Sequence, residues 1–151
     1  MGGEVKNLKY LYHQSEVMWL LGLRFRMQIV RLRKKQNWHT FRISSSQFYY
    51  RSEIDAYCDS HIASLPESEQ FMASINLERH RLAIPRHDLD ISVWIPVQEA
   101  IKTFTFAESH SDTNRYRVLQ LMRDNLVRVQ RIYYTNFIYK PDLERMLTIL
   151  T

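Results

Sequence analysis

The segment FYYRSEIDAY, residues 48–57, has a second copy further along the chain in FIYKPDLERM, residues 137–146. Both segments contain Phe, any residue, Tyr, a basic residue, any residue, an acid, Ile or Leu, and an acid. Alternating aromatic residues followed by an acidic first turn predict a β-strand that leads directly into an α-helix. A chain that contains this strand-into-helix segment twice is expected to contain two similar small domains.

The repeat extends towards the N-terminus of each copy. Without a gap, Arg42-Ile43 falls on Arg131-Ile132, and Ile29 falls on Val118. An insertion around Ala107–Ser111 is needed in the second copy before the first helices can be aligned. Two copies are too few for a solenoid, so a tandem of small domains is the better interpretation.

Each copy predicts the order helix, helix, hairpin, helix. In the first copy, Ser15 is a candidate cap for a helix that ends at Gly22. Phe25, Ile29 and Leu32 then follow at a spacing that predicts an inward face for the second helix.

The two hairpins are predicted over residues 38–50 and 128–139, which are rich in aromatic and β-branched residues. Ser52 is expected to open a capping box for the third helix of the first copy. Pro96 and Pro141 suit the first turns of helices in the second copy. Four aromatic residues alternate along the hairpins and are expected to share their inner face. They are Phe48, Tyr50, Phe137 and Tyr139.

This order of elements is that of a winged helix-turn-helix, and the chain resembles the small winged modules of the MerR and excisionase (AlpA-like) group. The resemblance rests on SEVMWLLGL (15–23), IVRLRKK (29–35) and FYYRSEIDAY in the first copy, and on EAIKTF (99–104) with the segment from Tyr116 onwards in the second. It does not cover residues 63–90. Between second helix and hairpin the group usually has Gly, where this chain has Gln36-Asn37-Trp38 and Asn125.

The expected fold is α+β, mainly α, with two tandem winged helix-turn-helix modules joined by a helical connector. Module 1 is expected over 1–62, the connector over 63–90 and module 2 over 91–151. Within the connector, residues 66–81 predict an amphipathic helix that starts at Pro66. Its expected apolar stripe consists of Phe71, Met72 and Ile75. Trp19 and Trp38 are expected in the core or at the base of a hairpin.

Charge is distributed unevenly along the chain, whose formal net charge is +5. Residues 1–62 contain ten Lys/Arg and five Asp/Glu, residues 63–90 three and five, and residues 91–151 eight and six. Basic ends around an acidic middle favour a polyanionic partner. The resemblance implies that this partner is double-stranded DNA, with the second helix of each module in the major groove and the hairpin beside the backbone.

The candidate DNA-binding residues lie on the second helices and the hairpins. In module 1 they are Arg24, Arg26, Gln28, Arg31, Arg33, Lys34, Lys35, Arg42 and Ser45. In module 2 they are Asn114, Arg115, Arg117, Gln120, Arg123, Arg131 and Asn136. Arg and Gln can bind base edges bidentately, whereas the remaining cations and short polar groups suit phosphate oxygens. Module 1 is expected to supply more of the electrostatic attraction and module 2 more of the selectivity.

The sequence offers little support for an enzyme, a metal site or a cofactor. Ser109-His110-Ser111-Asp112 contains the residue types of a catalytic triad, but triads assemble from separated positions, and a polar loop is the better interpretation. His80 and His87 lack the spacing of a metal-binding pair. With one cysteine, Cys58, no disulfide can form within the chain.

The resemblance implies regulation of transcription, or a role as excisionase-like accessory factor of a phage or mobile element. The alternative is an architectural, packaging or partition protein that oligomerises on DNA. A recombinase or RNA polymerase is the expected protein partner, and the connector or the last helix could pair two chains into a homodimer. No stretch has the length of a membrane span or the apolar core of a secretion signal, so the expected location is the cytoplasm. The resemblance implies a bacterial, phage or plasmid context.

Overall fold

A computed structural model of the chain describes residues 7–106 and 111–150. This part of the chain is α+β and divides into two compact units, Met1–Asp88 (unit 1) and Leu89–Thr151 (unit 2). After a short 3-10 helix at Leu8–Tyr10, unit 1 contains β1 (Leu11–His13), α1 (Gln14–Leu21), α2 (Arg26–Gln36), β2 (Thr40–Ile43), β3 (Ser46–Tyr50), α3 (Arg51–Ala63) and α4 (Glu67–Ala83). Unit 2 contains β4 (Trp94–Pro96), α5 (Val97–Thr103), α6 (Ser111–Arg123), β5 (Val129–Ile132), β6 (Thr135–Tyr139) and α7 (Lys140–Leu150). Most of the predicted insertion at Ala107–Ser111 lies outside the described residues.

Each unit has a three-stranded antiparallel sheet, in the order β1-β3-β2 in unit 1 and β4-β6-β5 in unit 2. The predicted hairpins are confirmed, and each gains a third strand that the sequence did not predict. Leu11 pairs with Tyr50 in unit 1, and Trp94 pairs with Tyr139 at the matching place in unit 2. A strand of three residues is too short to show alternation, which explains why β1 and β4 were missed.

The face of each sheet that packs on the helices differs from the prediction. Tyr49 and Ile138 are fully buried in the helical cores of their units, so they occupy the inner face. Phe48 and Tyr50, which were expected there, alternate with Tyr49 and therefore point to the opposite face of the sheet. That face is also covered, for example by the His13 ring against Phe48. Because both faces of the sheet carry buried aromatic or apolar side chains, their alternation along the strand did not show which face packs on the helices.

The two cores use equivalent positions of the repeat. Ile29 and Ile54 are fully buried in unit 1, and Val118 and Leu143 are fully buried in unit 2. Burying an aliphatic side chain of this size stabilises a fold by about 1.5–3 kcal/mol. These residues therefore anchor the inner sides of the second and third helices in both units.

Several helix boundaries differ from the expected ones. Helix α1 is capped by His13, whose ring accepts the Ser15 N–H, and it ends as predicted at Gly22, with φ of 67°. Helix α3 starts at Arg51 without a side-chain cap, so the predicted capping box at Ser52 is wrong. The expected partner of Ser52 in that box, Asp55, instead accepts a hydrogen bond from the Tyr12 hydroxyl at 2.7 Å, and the neighbouring Glu53 accepts the N–H of His39.

The helix expected to connect two modules belongs to unit 1. Leu77 of α4 packs on the unit 1 core, and Ile84 just after α4 is part of it. The Arg81 guanidinium donates a hydrogen bond to Asp59 at 3.0 Å, and its Nε lies 3.2 Å from Asp55 Oδ1, which ties α4 to α3. Which side of α4 packs on the rest of unit 1 is thus determined by contacts with residues that are distant in the sequence. The helical pattern of α4 alone does not show these contacts.

Four apolar residues expected to be buried are exposed. Phe71 and Met72 of the predicted α4 stripe face solvent, as does Phe25 before α2. Trp19 is half exposed and packs its ring on that of His80, with 4.5 Å between ring centroids. Trp38, in contrast, lies in the core as expected.

Asparagine takes the place of glycine after the second helix of each unit. Asn37 and Asn125 have φ of 60° and 58°, in the left-handed region that Asn tolerates better than most residues. The N–H of Trp38 bonds to the carbonyl of Arg33, and the N–H of Leu126 bonds to that of Leu121. Both helices therefore end in the same turn, which leads into the hairpin.

Candidate nucleic-acid interface

Helix α2 presents a cationic surface to solvent because its opposite side is anchored in the core. Ile29 is fully buried and Leu32 packs against the same cluster. The predicted residues in this helix and just before it are exposed, except Arg33, which is half-buried four residues after Ile29. We call this surface the basic face of α2. It consists of Arg24, Arg26, Gln28, Arg31, Arg33, Lys34 and Lys35.

The cations of the basic face have no carboxylate partner in the described part of the chain. None of them forms an ion pair within 4.0 Å, and residues 24–35 contain no acid. Their field acts on the nearby Tyr49 hydroxyl, where burial raises the pKa and the positive charges of Arg33 and Arg26 oppose the rise. A helix with concentrated, uncompensated positive charge is suited to a polyanion.

Gln28 has a local role in addition to its exposed position. Its Oε1 accepts the N–H groups of Arg24 at 2.8 Å and Phe25 at 2.9 Å, so this oxygen closes the start of α2. Within the part of the chain that the structure describes, its side-chain NH₂ group donates no hydrogen bond. In this conformation, Gln28 can offer a donor to a ligand but not its acceptor.

The hairpin of unit 1, which follows α2 in the sequence, carries further exposed polar groups. Arg42 is exposed on β2, opposite Gln47 of β3, and Ser44 and Ser45 form the exposed turn. Trp38, which joins α2 to the hairpin, packs edge-on against Tyr49 with 6.2 Å between ring centroids. This buried contact fixes the base of the hairpin relative to the end of α2.

Unit 2 repeats the arrangement with fewer charges. Val118 is fully buried and Leu121 is buried, so the opposite side of α6 faces solvent. Six predicted residues are accessible there and on the hairpin, either exposed or half-buried. They are Arg115, Arg117, Gln120, Arg123, Arg131 and Asn136. Asn136 is half-buried opposite Arg131 in the hairpin register.

Asn114 does not belong to this surface, and its prediction as a DNA-binding residue is wrong. Its side chain is 4% exposed and makes three hydrogen bonds inside unit 2. Its oxygen accepts the Phe106 N–H at 2.7 Å, and its NH₂ group donates to the carbonyls of Ile101 at 2.6 Å and Phe104 at 2.7 Å. The three partners lie in the last turn of α5 or just after it, so Asn114 fixes the start of the connection to α6.

The most exposed apolar residues of these helices, Met27 and Tyr116, were not predicted, and Leu119 of α6 is also exposed, at 36%. Met27 in α2 is 59% exposed and Tyr116 in α6 is 56% exposed. Each follows an exposed arginine and precedes Gln28 or Arg117. The helical spacing from the buried Ile29 and Val118 would have revealed them, because residues two positions away point to the opposite side of a helix.

No protein family, curated protein or solved structure compared with the chain matches it. The resemblance to the MerR and excisionase group therefore stays a prediction. No helix in residues 7–106 or 111–150 combines the length and apolar character that a membrane span needs. The same residues contain no group of three or more His, Cys, Asp or Glu side chains placed to hold a metal ion.

Proposed function

We propose that the chain is a sequence-selective double-stranded DNA-binding protein with two tandem winged helix-turn-helix modules. It acts as a transcription regulator or as an excisionase-like accessory factor of a phage or mobile element. The observation that carries this proposal is the basic face of α2, a solvent-facing surface of cations without carboxylate partners. The same order of two helices and a hairpin in unit 2 supports it.

The chemistry of the two surfaces suits both parts of DNA recognition. Phosphates can be neutralised by the exposed ammonium groups of Lys34 and Lys35 and by the exposed guanidinium group of Arg42. The affinity for DNA that such contacts give falls as the salt concentration rises. Arg31 and Arg117 can bind O6 and N7 of guanine together, which is worth about 1–3 kcal/mol of discrimination against another base. The larger number of cations in unit 1 supports the expectation that unit 1 supplies more of the electrostatic attraction to DNA and unit 2 more of the base selectivity.

The test is selection of bound duplexes from a random-sequence DNA library, followed by footprinting of the full chain on the selected sequence. We expect an enriched sequence with two protected segments, one for each unit. Arg31→Ala should alter base preference in one segment and Arg117→Ala in the other. Equal affinity for all duplexes, or preference for single-stranded over double-stranded DNA, would contradict the proposal.

A second candidate function is an architectural or partition protein that oligomerises on DNA. The exposed apolar residues of α4 favour it, since Phe71 is 72% exposed and Leu82 is 79% exposed. Their spacing of eleven residues places them on one side of the helix, with Ile75 between them. Light scattering with and without DNA distinguishes the candidates, because only the second requires an assembly that Phe71→Glu or Leu82→Glu dissociates.

A further inference from the structure

We propose that Met27 and Tyr116 each recognise the 5-methyl group of a thymine in the DNA site of their unit. This inference rests on the proposed function and adds which base the apolar residues select. It starts from the equivalence of the two helices. Ile29 and Val118 occupy the same place in the repeat and are both fully buried, so Met27 and Tyr116, two positions earlier, are equivalent as well.

The surroundings of the two residues are polar in both units. Met27 lies between Arg26 and Gln28, and Tyr116 between Arg115 and Arg117. Four residues later, on the same side of the helix, stand Arg31 and Gln120. Each apolar side chain is thus next to groups that suit base edges or phosphates, and neither belongs to the hydrophobic core of its unit.

The major groove offers an apolar side chain one favourable partner. Base edges there present hydrogen-bond donors and acceptors, and the exception is the C5-methyl group of thymine. Over a guanine or adenine edge, Met27 would cover N7 and O6 or N6 without replacing their bonds to water, which is unfavourable. Over a thymine methyl, both surfaces lose contact with water, and burial of a methyl-sized group changes affinity by about fourfold.

The position of the thymine follows from the helix geometry. Residues 27 and 31 are about 6 Å apart along the helix axis at ~1.5 Å per residue, and the same holds for 116 and 120. Base pairs are stacked about 3.4 Å apart in each strand. We therefore expect each thymine within about two base pairs of the base that Arg31 or Gln120 contacts.

The experiment replaces thymine by deoxyuridine, which keeps base pairing and the O4 acceptor and removes the methyl group alone. Duplexes with the selected site, each with one such replacement, are titrated with the full chain and followed by fluorescence anisotropy. For the unaltered protein, we expect one thymine in each protected segment whose replacement weakens binding about fourfold. Met27→Ala should remove the sensitivity at one of them, and Tyr116→Ala at the other.

The controls are Met72→Ala and Tyr10→Ala, which shorten an exposed methionine and an exposed tyrosine outside the two helices. Both should retain full sensitivity at both thymines. Binding that is unaffected by deoxyuridine at every position, or sensitivity that survives Met27→Ala and Tyr116→Ala, would overturn the inference and leave DNA binding intact. A protein that selects no duplex at all would instead overturn the proposed function.

Discussion

The carboxylate of Asp142 is buried and accepts three hydrogen bonds from Arg128. The backbone N–H of Arg128 donates to Oδ2 at 2.8 Å, Nε donates to the same oxygen at 3.0 Å, and Nη2 donates to Oδ1 at 3.2 Å. Glu53 occupies the equivalent place in unit 1 and accepts the N–H of His39 at 2.9 Å. The first acid of the repeated segment thus joins the start of the helix that follows the hairpin to the start of the hairpin.

Asp142→Asn is expected to lower the free energy of unfolding of unit 2 by about 1–3 kcal/mol, the cost of weakening a buried charge-assisted hydrogen bond. Chemical denaturation followed by circular dichroism measures this difference. Glu144→Gln is the matched control, because Glu144 is an exposed acid in the same helix. A loss of equal size in both variants would show that the contact with Arg128 contributes nothing specific.

The effect of Asp142 is also expected to depend on pH. Burial raises the pKa of Asp142, but the hydrogen bonds from Arg128 outweigh it and leave the pKa below its usual value. The stabilisation is therefore present above about pH 4, the usual pKa of an unfolded Asp, and is lost as pH falls through the lower pKa of the folded state. The difference in unfolding free energy between the protein and Asp142→Asn should shrink over that acidic range.

Asn114→Ala is expected to destabilise unit 2 by about 2–3 kcal/mol, because one half-buried N–H and two carbonyls lose their partner. Thermal unfolding measures the loss. Thr113→Ala is the control, since the neighbouring Thr113 is exposed. If Asn114→Ala instead left stability unchanged and lowered DNA affinity, the original prediction of a DNA contact would be restored.

His13 is expected to make unit 1 less stable as the solution becomes acidic. Burial lowers the pKa of His13, opposed by the charge of Glu16, and its Nδ1 must stay unprotonated to accept the Ser15 N–H at 3.2 Å. The lowered pKa means that the stabilisation is complete above about pH 6.5 and is lost as pH falls.

His13→Asn tests this dependence, because Asn is an effective helix cap that does not titrate. Denaturation at pH 7.5 and pH 5 should show a smaller fall in unfolding free energy for the variant than for the unaltered protein. The comparison isolates His13 because the other histidines are present in both proteins. Parallel pH profiles would assign the acid sensitivity to a different group.

The double variant Lys34→Gln, Lys35→Gln is expected to weaken DNA binding and reduce its salt dependence. Each phosphate contact that is lost lowers the slope of log affinity against log salt by about 0.9. Anisotropy titrations at several salt concentrations give the slope. The control is Arg79→Gln, which removes an exposed charge from α4.

Because both residues of the double variant are exposed, its unfolding free energy should stay within about 0.5 kcal/mol per substitution of the original value. Retained stability with a lower slope would support the basic face as the site of phosphate contact. An unchanged slope would place the phosphate contacts elsewhere on the chain.

The local parts of the fold were predictable because short-range patterns encode them. The hairpins followed from aromatic and β-branched runs, the end of α1 from Gly22, and the buried side of α2 from Ile29 and Leu32. The basic face of α2 followed from the same helical spacing, since an anchored helix must turn its other residues outwards. These features depend on neighbours within a few positions, which are visible in the sequence.

The sequence alone determined the two-fold repeat, the order of helices and strands after β1 and β4, and the positions of most cations. Only the tertiary structure decided that α4 packs on unit 1, that Tyr49 and Ile138 face the cores, and that Asn114 is an internal hydrogen-bonding residue. The physical reason is that an amphipathic helix or a two-sided strand offers more than one surface for burial. Which surface is buried depends on partners distant in the sequence, such as Asp55 and Asp59 for Arg81.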